Sequence, residues 1–503
     1  MLAGFIARGI LLLGIDFPLN DGGLFLVMIE TLGATRYGLP DVVAYNGVDI
    51  PFAYPPLAFY AARLAADLTG IMPLDLIRLL PLAMSTLSVL AFALLAQTML
   101  HSKVATLVAT AIFAVLPTGF IVLIMGGGLT RSFAYVFALL ALREAYLLYT
   151  TGSRGALIRY VLWAGLTMVS HLEVAWYLAI GTFVCLLTFG RSRRAFLHST
   201  VAVIGVLACS APWWATVIAR HGLEPLHAAS QTGTSLATLD VNESGIGPLL
   251  FLALTFVAFG ASVFLAATGD RRLAVLGWMG LTWLLDGRAI GWTITAPLAL
   301  VLGASFALVP RRTRHPSNAG ETVTIDVVPQ LRPATRRLVS ILPIAVAGFI
   351  FLLLVRASFA SPLYTMVLSH GERNAMRSIA ASMPPDARFV VITGDYWSAD
   401  RTVEWFPVLA QRESVTTPQG YEWLPDRIFL HRIAAHFAAQ SCVVSDGDCL
   451  LALDTPFDDV YVAKREEGEC CDPLRSHLRA DPRFRLVYDG PGASIFALRS
   501  PQG

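Results

Sequence analysis

The chain has 503 residues, of which 55% are hydrophobic and only 14% are charged. Its mean hydropathy is +0.63, which excludes a single water-soluble domain and indicates several membrane spans. The net charge of +2 is dispersed over many loops instead of forming a basic stripe, so no nucleic-acid partner is expected.

The first apolar segment, residues 1–15, is interrupted by Arg8 and is shorter than the roughly 20 residues that a spanning helix needs. A polar loop at 16–73 follows it. Asp21 lies near the start of this loop, and Gly22-Gly23 after it allow close backbone approach. The loop contains two short amphipathic runs, at 24–32 and 58–68. We expect these runs to form two helices that lie along the membrane interface.

Ten further apolar runs give, with the first segment, about eleven spans. They cover residues 74–100, 104–125, 132–150, 157–170, 174–189, 196–219, 248–267, 273–285, 292–309 and 338–355. Under strict alternation all five basic loops fall on one side, which is therefore predicted to be cytoplasmic. These loops hold Lys103, Arg154 with Arg159, Arg191 to Arg194, Arg271-Arg272, and Arg311 to Arg314 with Arg336-Arg337. The sequence thus predicts a multi-pass protein of the plasma membrane.

The tail differs from the rest of the chain because its charged residues and prolines increase. Short alternating runs at 387–392 and 459–462 predict strands, and helical spacing at 371–383 and 428–440 predicts helices. We expect a transmembrane domain at 1–356 and an extracytoplasmic α/β domain at 357–503. Four cysteines of the tail are candidates for disulfides, with the connectivity open and a zinc site as the weaker alternative. They are Cys442, Cys449, Cys470 and Cys471.

Ionisable residues gather at the predicted outward ends of the spans. They are Asp21, Arg131, His171, Glu173, Asp286 and Arg288. Charged groups at the membrane edge are costly and are therefore candidates for a functional site, although any one of them could simply cap a helix or meet water. Asp21 has the most support, because its neighbouring glycines and the short helix after it agree with a site.

Several motifs, in their order along the chain, resemble the GT-C class of membrane glycosyltransferases, and most nearly its aminoarabinose-transferase and protein O-mannosyltransferase branch. The resemblance covers residues 1 to about 356. It rests on Asp21 before the first loop helix, Tyr54-Pro55-Pro56-Leu57 before the second, Leu76-Ile77-Arg78-Leu79-Leu80-Pro81 entering the next span, Gly165 to His171, and Ala211-Pro212-Trp213-Trp214. Tyr54 stands where relatives often carry a basic residue.

The resemblance implies sugar transfer from a polyprenyl-phosphate donor to an extracytoplasmic glycan, lipid or protein acceptor. It also implies an active site at the outer face of the membrane, in contact with membrane lipids. By position, Asp21 would be the catalytic base, and Glu173 a second carboxylate. The lipid phosphate that leaves needs cationic or amide donors, for which Arg131, His171, Arg288 and Tyr54 are the candidates, with backbone N–H groups of Gly126 to Gly128. No cofactor is identified; a divalent metal held by Asp21, His171 and Glu173 is an open alternative.

Other functions fit the same composition. A lipid or small-solute transporter or flippase would favour charges buried within the spans, whereas here the ionisable residues concentrate at one face. A membrane scaffold that binds glycans without catalysis is the third hypothesis. Two further expectations are a cover over the site at 220–247 and carbohydrate stacking on tail aromatics. The aromatics in question are Tyr396, Trp397, Tyr421 and Trp423.

Overall fold

The computed structural model describes residues 1–190, 192–232, 278, 290–307, 366–465 and 470–499. Several predictions fall outside these residues: the spans at 248–267 and 338–355, nearly all of the span at 273–285, and the candidates Asp286 and Arg288. The cover at 220–247 is described only as far as residue 232.

The described residues between 1 and 307 form a helical bundle and a small hairpin. Its helices are α1 (Leu2–Leu12), α2 (Gly23–Ala34), α3 (Leu57–Thr69), α4 (Pro73–Leu100), α5 (Lys103–Val115), α6 (Ile121–Ile124), α7 (Gly128–Thr151), α8 (Arg154–Met168), α9 (Leu172–Phe189), α10 (Arg193–His221), α11 (Glu224–Gln231), α12 (Ile290–Thr293) and α13 (Thr295–Ala307). Within the described ranges, four of them are long and apolar enough to cross a membrane, namely α4, α7, α9 and α10. The polytopic helical architecture agrees with the sequence, and the number of spans stays a prediction.

Local sequence explains where these helices begin. The hydroxyls of Ser102, Ser153 and Ser192 each accept a hydrogen bond from the backbone N–H three residues later, which caps α5, α8 and α10. The predicted span at 104–125 is not continuous, because α5 ends at Val115. Leu116 is extended and precedes Pro117, and a residue before proline avoids the helical conformation.

The Arg8 that interrupts the first apolar segment is fully buried in the bundle. Its guanidinium donates to the Ser85 hydroxyl at 2.9 Å and to the Ala114 carbonyl at 2.6 Å, and it lies 4.3 Å from the centre of the Phe120 ring. A buried cation is tolerated only where hydrogen bonds replace its water. Arg8 therefore joins α1 to α4 and α5 and does not mark a break in α1.

The tail is an α/β domain, as the sequence predicts. Its elements are α14 (His370–Ser382), β3 (Arg388–Ile392), α15 (Arg401–Leu409), β4 (Glu413–Ser414), α16 (Ile428–Gln440), α17 (Gly447–Leu451), β5 (Asp459–Ala463), α18 (Asp472–Ala480), β6 (Phe484–Asp489) and β7 (Ala493–Leu498). The sheet has the order β4-β3-β5-β7-β6, with β3 parallel to both of its neighbours. The structure pairs Cys442 with Cys449 and Cys470 with Cys471, which settles the connectivity that the sequence leaves open.

The α/β domain packs directly on the loop between α1 and α4, which positions the site. A hairpin of this loop, β1 (Val42–Tyr45) and β2 (Val48–Pro51), contacts the domain. The Tyr45 hydroxyl donates to the Glu404 carbonyl at 2.8 Å, and the Trp405 indole donates to the Asn20 carbonyl at 3.0 Å. One hydrophobic core runs through α2, α3, the hairpin and α15, so α2 is covered by the domain along much of its length.

Candidate functional site

Asp21 lies against the start of α7. Its Oδ1 accepts a hydrogen bond from the Gly127 backbone N–H at 2.7 Å. A side chain on Gly126 would overlap the Asp21 backbone carbonyl, and one on Gly127 would overlap the Asp21 carboxylate. The glycine run is therefore needed for close approach. The sequence suggests that the N–H groups of this run bind a phosphate. In the structure the Gly127 N–H instead binds the Asp21 carboxylate.

The surroundings of Asp21 act on its pKa in opposite directions. Burial raises the pKa, while the Gly127 N–H and the charge of Arg131 lower it, and the net effect is a raised value. A carboxylate with a raised pKa accepts a proton more readily than one in water. A raised pKa is one of the properties that the predicted role of general base requires.

Arg131 follows on the first turn of α7 and faces Glu173. The Arg131 Nη2 atom lies 4.0 Å from Glu173 Oε2, and Nη1 donates to the Val122 carbonyl at 3.3 Å. The Nε atom of Arg131 is buried and, within the described ranges, has no hydrogen-bond partner. A buried donor without a partner is energetically costly, and Arg131 remains a candidate for binding an anion.

His171 and Tyr54 form the apolar side of the site. The buried His171 accepts a hydrogen bond on Nδ1 from the Val174 N–H at 3.4 Å and so caps α9. Its ring meets the edge of Tyr54, with 6.1 Å between ring centroids. The Tyr54 hydroxyl lies 3.5 Å from the Thr130 Oγ1, and burial raises the pKa of Tyr54 to about 12. Tyr54 therefore stays protonated at neutral pH and can donate a hydrogen bond.

The sequence analysis assigns possible roles in binding or catalysis to six side chains, and the structure brings five of them to one end of the bundle. The five are Asp21, Tyr54, Arg131, His171 and Glu173. Contacts or charge interactions connect Asp21 with Arg131, Arg131 with Glu173, and Tyr54 with His171. The sixth, Arg288, lies outside the described residues. These contacts establish proximity, and the chemical roles remain predictions.

Glu404 of α15 also belongs to this site, although it is absent from the sequence-based set. Its side chain is buried, and Oε1 accepts a hydrogen bond from the Gly22 N–H at 3.1 Å, next to Asp21. In the sequence Glu404 stands in an ordinary amphipathic helix of a domain predicted to be separate. No local signal links it to a residue 382 positions earlier.

The proposed metal ligands do not form a metal centre in this structure. Among the residues that the structure describes, no group of three or more histidine, cysteine, aspartate or glutamate side chains could hold a metal ion. Asp21, His171 and Glu173 are thus not gathered as such a set, because Asp21 turns to Gly127 and Nδ1 of His171 is used to cap α9.

The aromatic residues considered for carbohydrate stacking have different surroundings. Tyr421 and Trp423 are buried, and Trp423 packs against Tyr54 with 5.4 Å between ring centroids. Core packing explains these two. Tyr396 is exposed and remains accessible to a ligand.

The predicted cover begins as α11 beside the segment 422–430 of the α/β domain. Between them lies a cleft of about 210 Å³ whose lining includes Glu224, His227 and Glu422.

A second, apolar groove of about 430 Å³ runs between α8, α9 and α10. Its lining is almost entirely apolar and includes Met168 and Leu172, which flank His171 in the sequence. Leu172 is the first residue of α9, so one part of the groove lies near the start of that helix.

The sequence matches no protein-family model, and a search of curated proteins finds no match. Solved structures do resemble the chain. The arabinofuranosyltransferase AftD from Mycobacteria is similar at a TM-score of 0.54 with 15% identity, over 100% of this chain and 40% of that one. The oligosaccharyltransferase of Archaeoglobus fulgidus, in complex with zinc and sulfate, is similar at a TM-score of 0.50 with 12% identity, over 92% of this chain and 67% of that one.

ArnT from Cupriavidus metallidurans, bound to undecaprenyl phosphate, is similar at a TM-score of 0.49 with 14% identity, over 100% of this chain and 99% of that one. At such low identity the likeness to AftD and the oligosaccharyltransferase is one of fold, and it includes the α/β tail.

Proposed function

We propose that this chain, which has the fold of the GT-C membrane glycosyltransferases, transfers a sugar from a polyprenyl phosphate to an extracytoplasmic acceptor. The observation that carries the proposal is the placement of Asp21. A carboxylate with a raised pKa lies at the start of α7, beside an arginine with a buried, unpartnered donor atom. This pairing supplies a base for an acceptor hydroxyl and a cation for a phosphate.

The reaction is a single displacement at the anomeric carbon of the donor sugar. The acceptor hydroxyl gives its proton to Asp21 while its oxygen forms the new bond to the anomeric carbon. The bond from that carbon to the phosphate oxygen breaks, and its electron pair leaves with the polyprenyl phosphate. Because attack and departure take place on opposite faces, the anomeric configuration inverts.

The leaving phosphate gains negative charge in the transition state and needs fixed donors. Arg131 is one donor, and Glu173 orients its guanidinium. The Tyr54 hydroxyl is a second donor, since its pKa of about 12 keeps the proton on the oxygen. The start of α7 adds the positive end of a helix dipole.

The donor lipid and the acceptor have separate approaches to this site. The apolar groove between α8, α9 and α10 fits a polyprenyl tail, because its wall is mostly apolar and includes Leu172, the residue after His171 in the sequence. The polar cleft between α11 and the α/β domain fits the acceptor, because Glu224, His227 and Glu422 in its lining can form hydrogen bonds with the hydroxyl groups of an acceptor.

Sugar transfer by purified protein in detergent or vesicles tests the proposal, with a polyprenyl-phosphate sugar as donor and with or without added divalent cation. Asp21→Asn removes the base and retains its shape, and we expect the rate of transfer to fall by about 10²- to 10⁴-fold. Asp49→Asn is the matched control, because Asp49 is an exposed carboxylate of the same loop.

Equal rates for the parent chain and Asp21→Asn would contradict the role of Asp21. Binding of a glycan without any transfer would favour the scaffold hypothesis. Movement of the lipid across vesicles without transfer would favour a flippase.

A further inference from the structure

The α/β domain places one buried carboxylate against the backbone that carries Asp21. Glu404 is 5% exposed, and its Oε1 accepts the Gly22 N–H at 3.1 Å. Gly22 is the N-cap of α2 and has no side chain to satisfy the first N–H groups of that helix. Glu404 therefore accepts the N–H of this N-cap residue from a different domain.

The backbone at Gly22 and Gly23 is closely packed against α15 and the glycines before α7. Gly22 has a φ of 125°, and a Cβ there would lie 3.2 Å from Gly126 and 3.3 Å from Trp405. A Cβ on Gly23 would lie 2.8 Å from the Glu404 carbonyl. The segment that carries Asp21 is thus held between the glycines before α7 on one side and α15 on the other. Only glycine fits both the conformation and the space.

We propose that Glu404 is a positioning residue for Asp21: its carboxyl oxygen holds the backbone N–H of Gly22, the residue that follows Asp21. This role rests on the proposed function of Asp21 as a base. No covalent step passes through Glu404. The α/β domain would then complete the active site as well as cover it.

The charges around Glu404 agree with this role. Burial and the Asp21 carboxylate raise the pKa of Glu404 to about 8, with a further contribution from Glu422, while the N–H groups of Gly22 and Gly23 oppose them. Tyr45 also faces Glu404 and is a neutral phenol, since its own pKa is well above the usual value. Arg131 acts on the Asp21 side of the pair.

The pH dependence follows from the sign of this shift. The folded protein holds the Glu404 proton up to about pH 8, whereas the unfolded chain loses it near the ordinary value of 4.5. The folded state thus binds more protons between these limits, and stability falls as pH rises through them. Above about pH 8 a second charge appears beside Asp21.

Infrared difference spectroscopy on the purified full-length protein tests the proposal without any substrate. We expect a buried carboxylic acid that loses its proton near pH 8 in the parent chain. The signal should be absent in Glu404→Gln, retained in the control Glu30→Gln on α2, and shifted to lower pH in Asp21→Asn, because the neighbouring charge is then gone.

A second measurement uses the pH profile of transfer. Glu404→Gln keeps an oxygen for the Gly22 N–H, so we expect near-parental kcat at pH 7 and loss of the alkaline step near pH 8. Glu404→Ala removes the acceptor, and we expect kcat to fall about tenfold or more with little change in the KM for the donor.

An infrared signal that persists in Glu404→Gln, or one that Asp21→Asn does not shift, would overturn the proposal. Equal kcat for Glu404→Ala and the parent chain would overturn it as well. A parent chain with no transfer activity but with the expected infrared shifts would instead count against the proposed function, while the coupling of the two carboxylates would stand.

Discussion

At the scale of single residues, the site depends on glycines that allow close packing as well as on the side chains with proposed roles in the reaction. The Asp21 carboxylate reaches the Gly127 N–H only because Gly126 and Gly127 have no side chains. Gly127 itself has an ordinary helical conformation, with φ at −67°. The requirement for glycine there is therefore one of space and not of backbone strain.

Gly127→Ala should displace the Asp21 carboxylate, because the added methyl group occupies its position. We expect loss of most sugar transfer and a decrease in the free energy of unfolding of about 1–3 kcal/mol, which is typical of overpacking. Activity and thermal unfolding of the purified variant measure the two effects.

Gly14→Ala is the control for this substitution, since nothing lies within 4 Å of a Cβ at Gly14. It should leave both activity and stability unchanged. A Gly127→Ala variant with parental activity would show that Asp21 does not need its contact with α7.

At the scale of elements, the hairpin of β1 and β2 attaches the loop to the α/β domain. Its turn is Asn46-Gly47, and both residues have positive φ, at 51° and 79°. Asn-Gly between two strand-forming runs is the strongest short-range signal for a hairpin, so this element could have been recognised from sequence. The prediction for this loop contains the two helices on either side of the hairpin but not the hairpin itself.

Asn46 joins the turn to strand β4. Its Oδ1 accepts the Ser414 N–H at 2.7 Å, and its Nδ2 donates to the Ser414 carbonyl at 3.0 Å. Asn46→Ala leaves both buried backbone groups without these partners. It should lower the free energy of unfolding by roughly 1–3 kcal/mol and speed proteolytic cleavage of the loop.

Asn374→Ala is the matched control for the hairpin, because Asn374 is exposed and bonds only to Arg377 on its own helix among the hydrogen bonds described. Thermal unfolding and limited proteolysis should not distinguish this variant from the parent chain. Equal behaviour of Asn46→Ala would mean that the hairpin does not hold the domain.

At the scale of the whole molecule, the bundle and the α/β domain share one hydrophobic core instead of being joined by a linker alone. The ring of Phe17 meets the edge of Trp405 at 4.6 Å between centroids, and Arg373 binds Asp16 at 2.8 Å. The bundle and the α/β domain are two different folds, and the site lies where they meet. Sugar transfer should therefore require both.

The positions of the basic loops predict that the α/β domain lies outside the cytoplasm. In a background with Cys185 and Cys209 replaced by alanine, Ser382→Cys should react in intact cells with a maleimide that cannot cross membranes. Lys103→Cys, at the start of α5, should react only after the cells are broken. Both positions are exposed, so access alone does not separate them.

Labelling of Lys103→Cys in intact cells, or failure to label Ser382→Cys, would reverse the predicted orientation. The disulfide-bonded cysteines of the tail do not compete for the reagent.

The sequence by itself determined what depends on neighbouring residues. Apolar runs and helical spacing predicted most of the described helices, and alternation predicted β3 and β5, because these patterns repeat over a few residues. It also identified Asp21, Arg131, Glu173, His171 and Tyr54 as candidates, since each stands at the end of an apolar run or beside a proline or glycine turn.

Only the tertiary structure decided which of these groups meet. The contact of Glu404 with Gly22 and that of Gly127 with Asp21 join residues 382 and 106 positions apart. The first contact forms where the two domains bury a common apolar surface, and the second forms where the loop after α1 packs on α7; no local pattern specifies either. The break after α5 was in principle readable from Pro117, whereas the burial of Arg8 and the pairing of two carboxylates required the packed molecule.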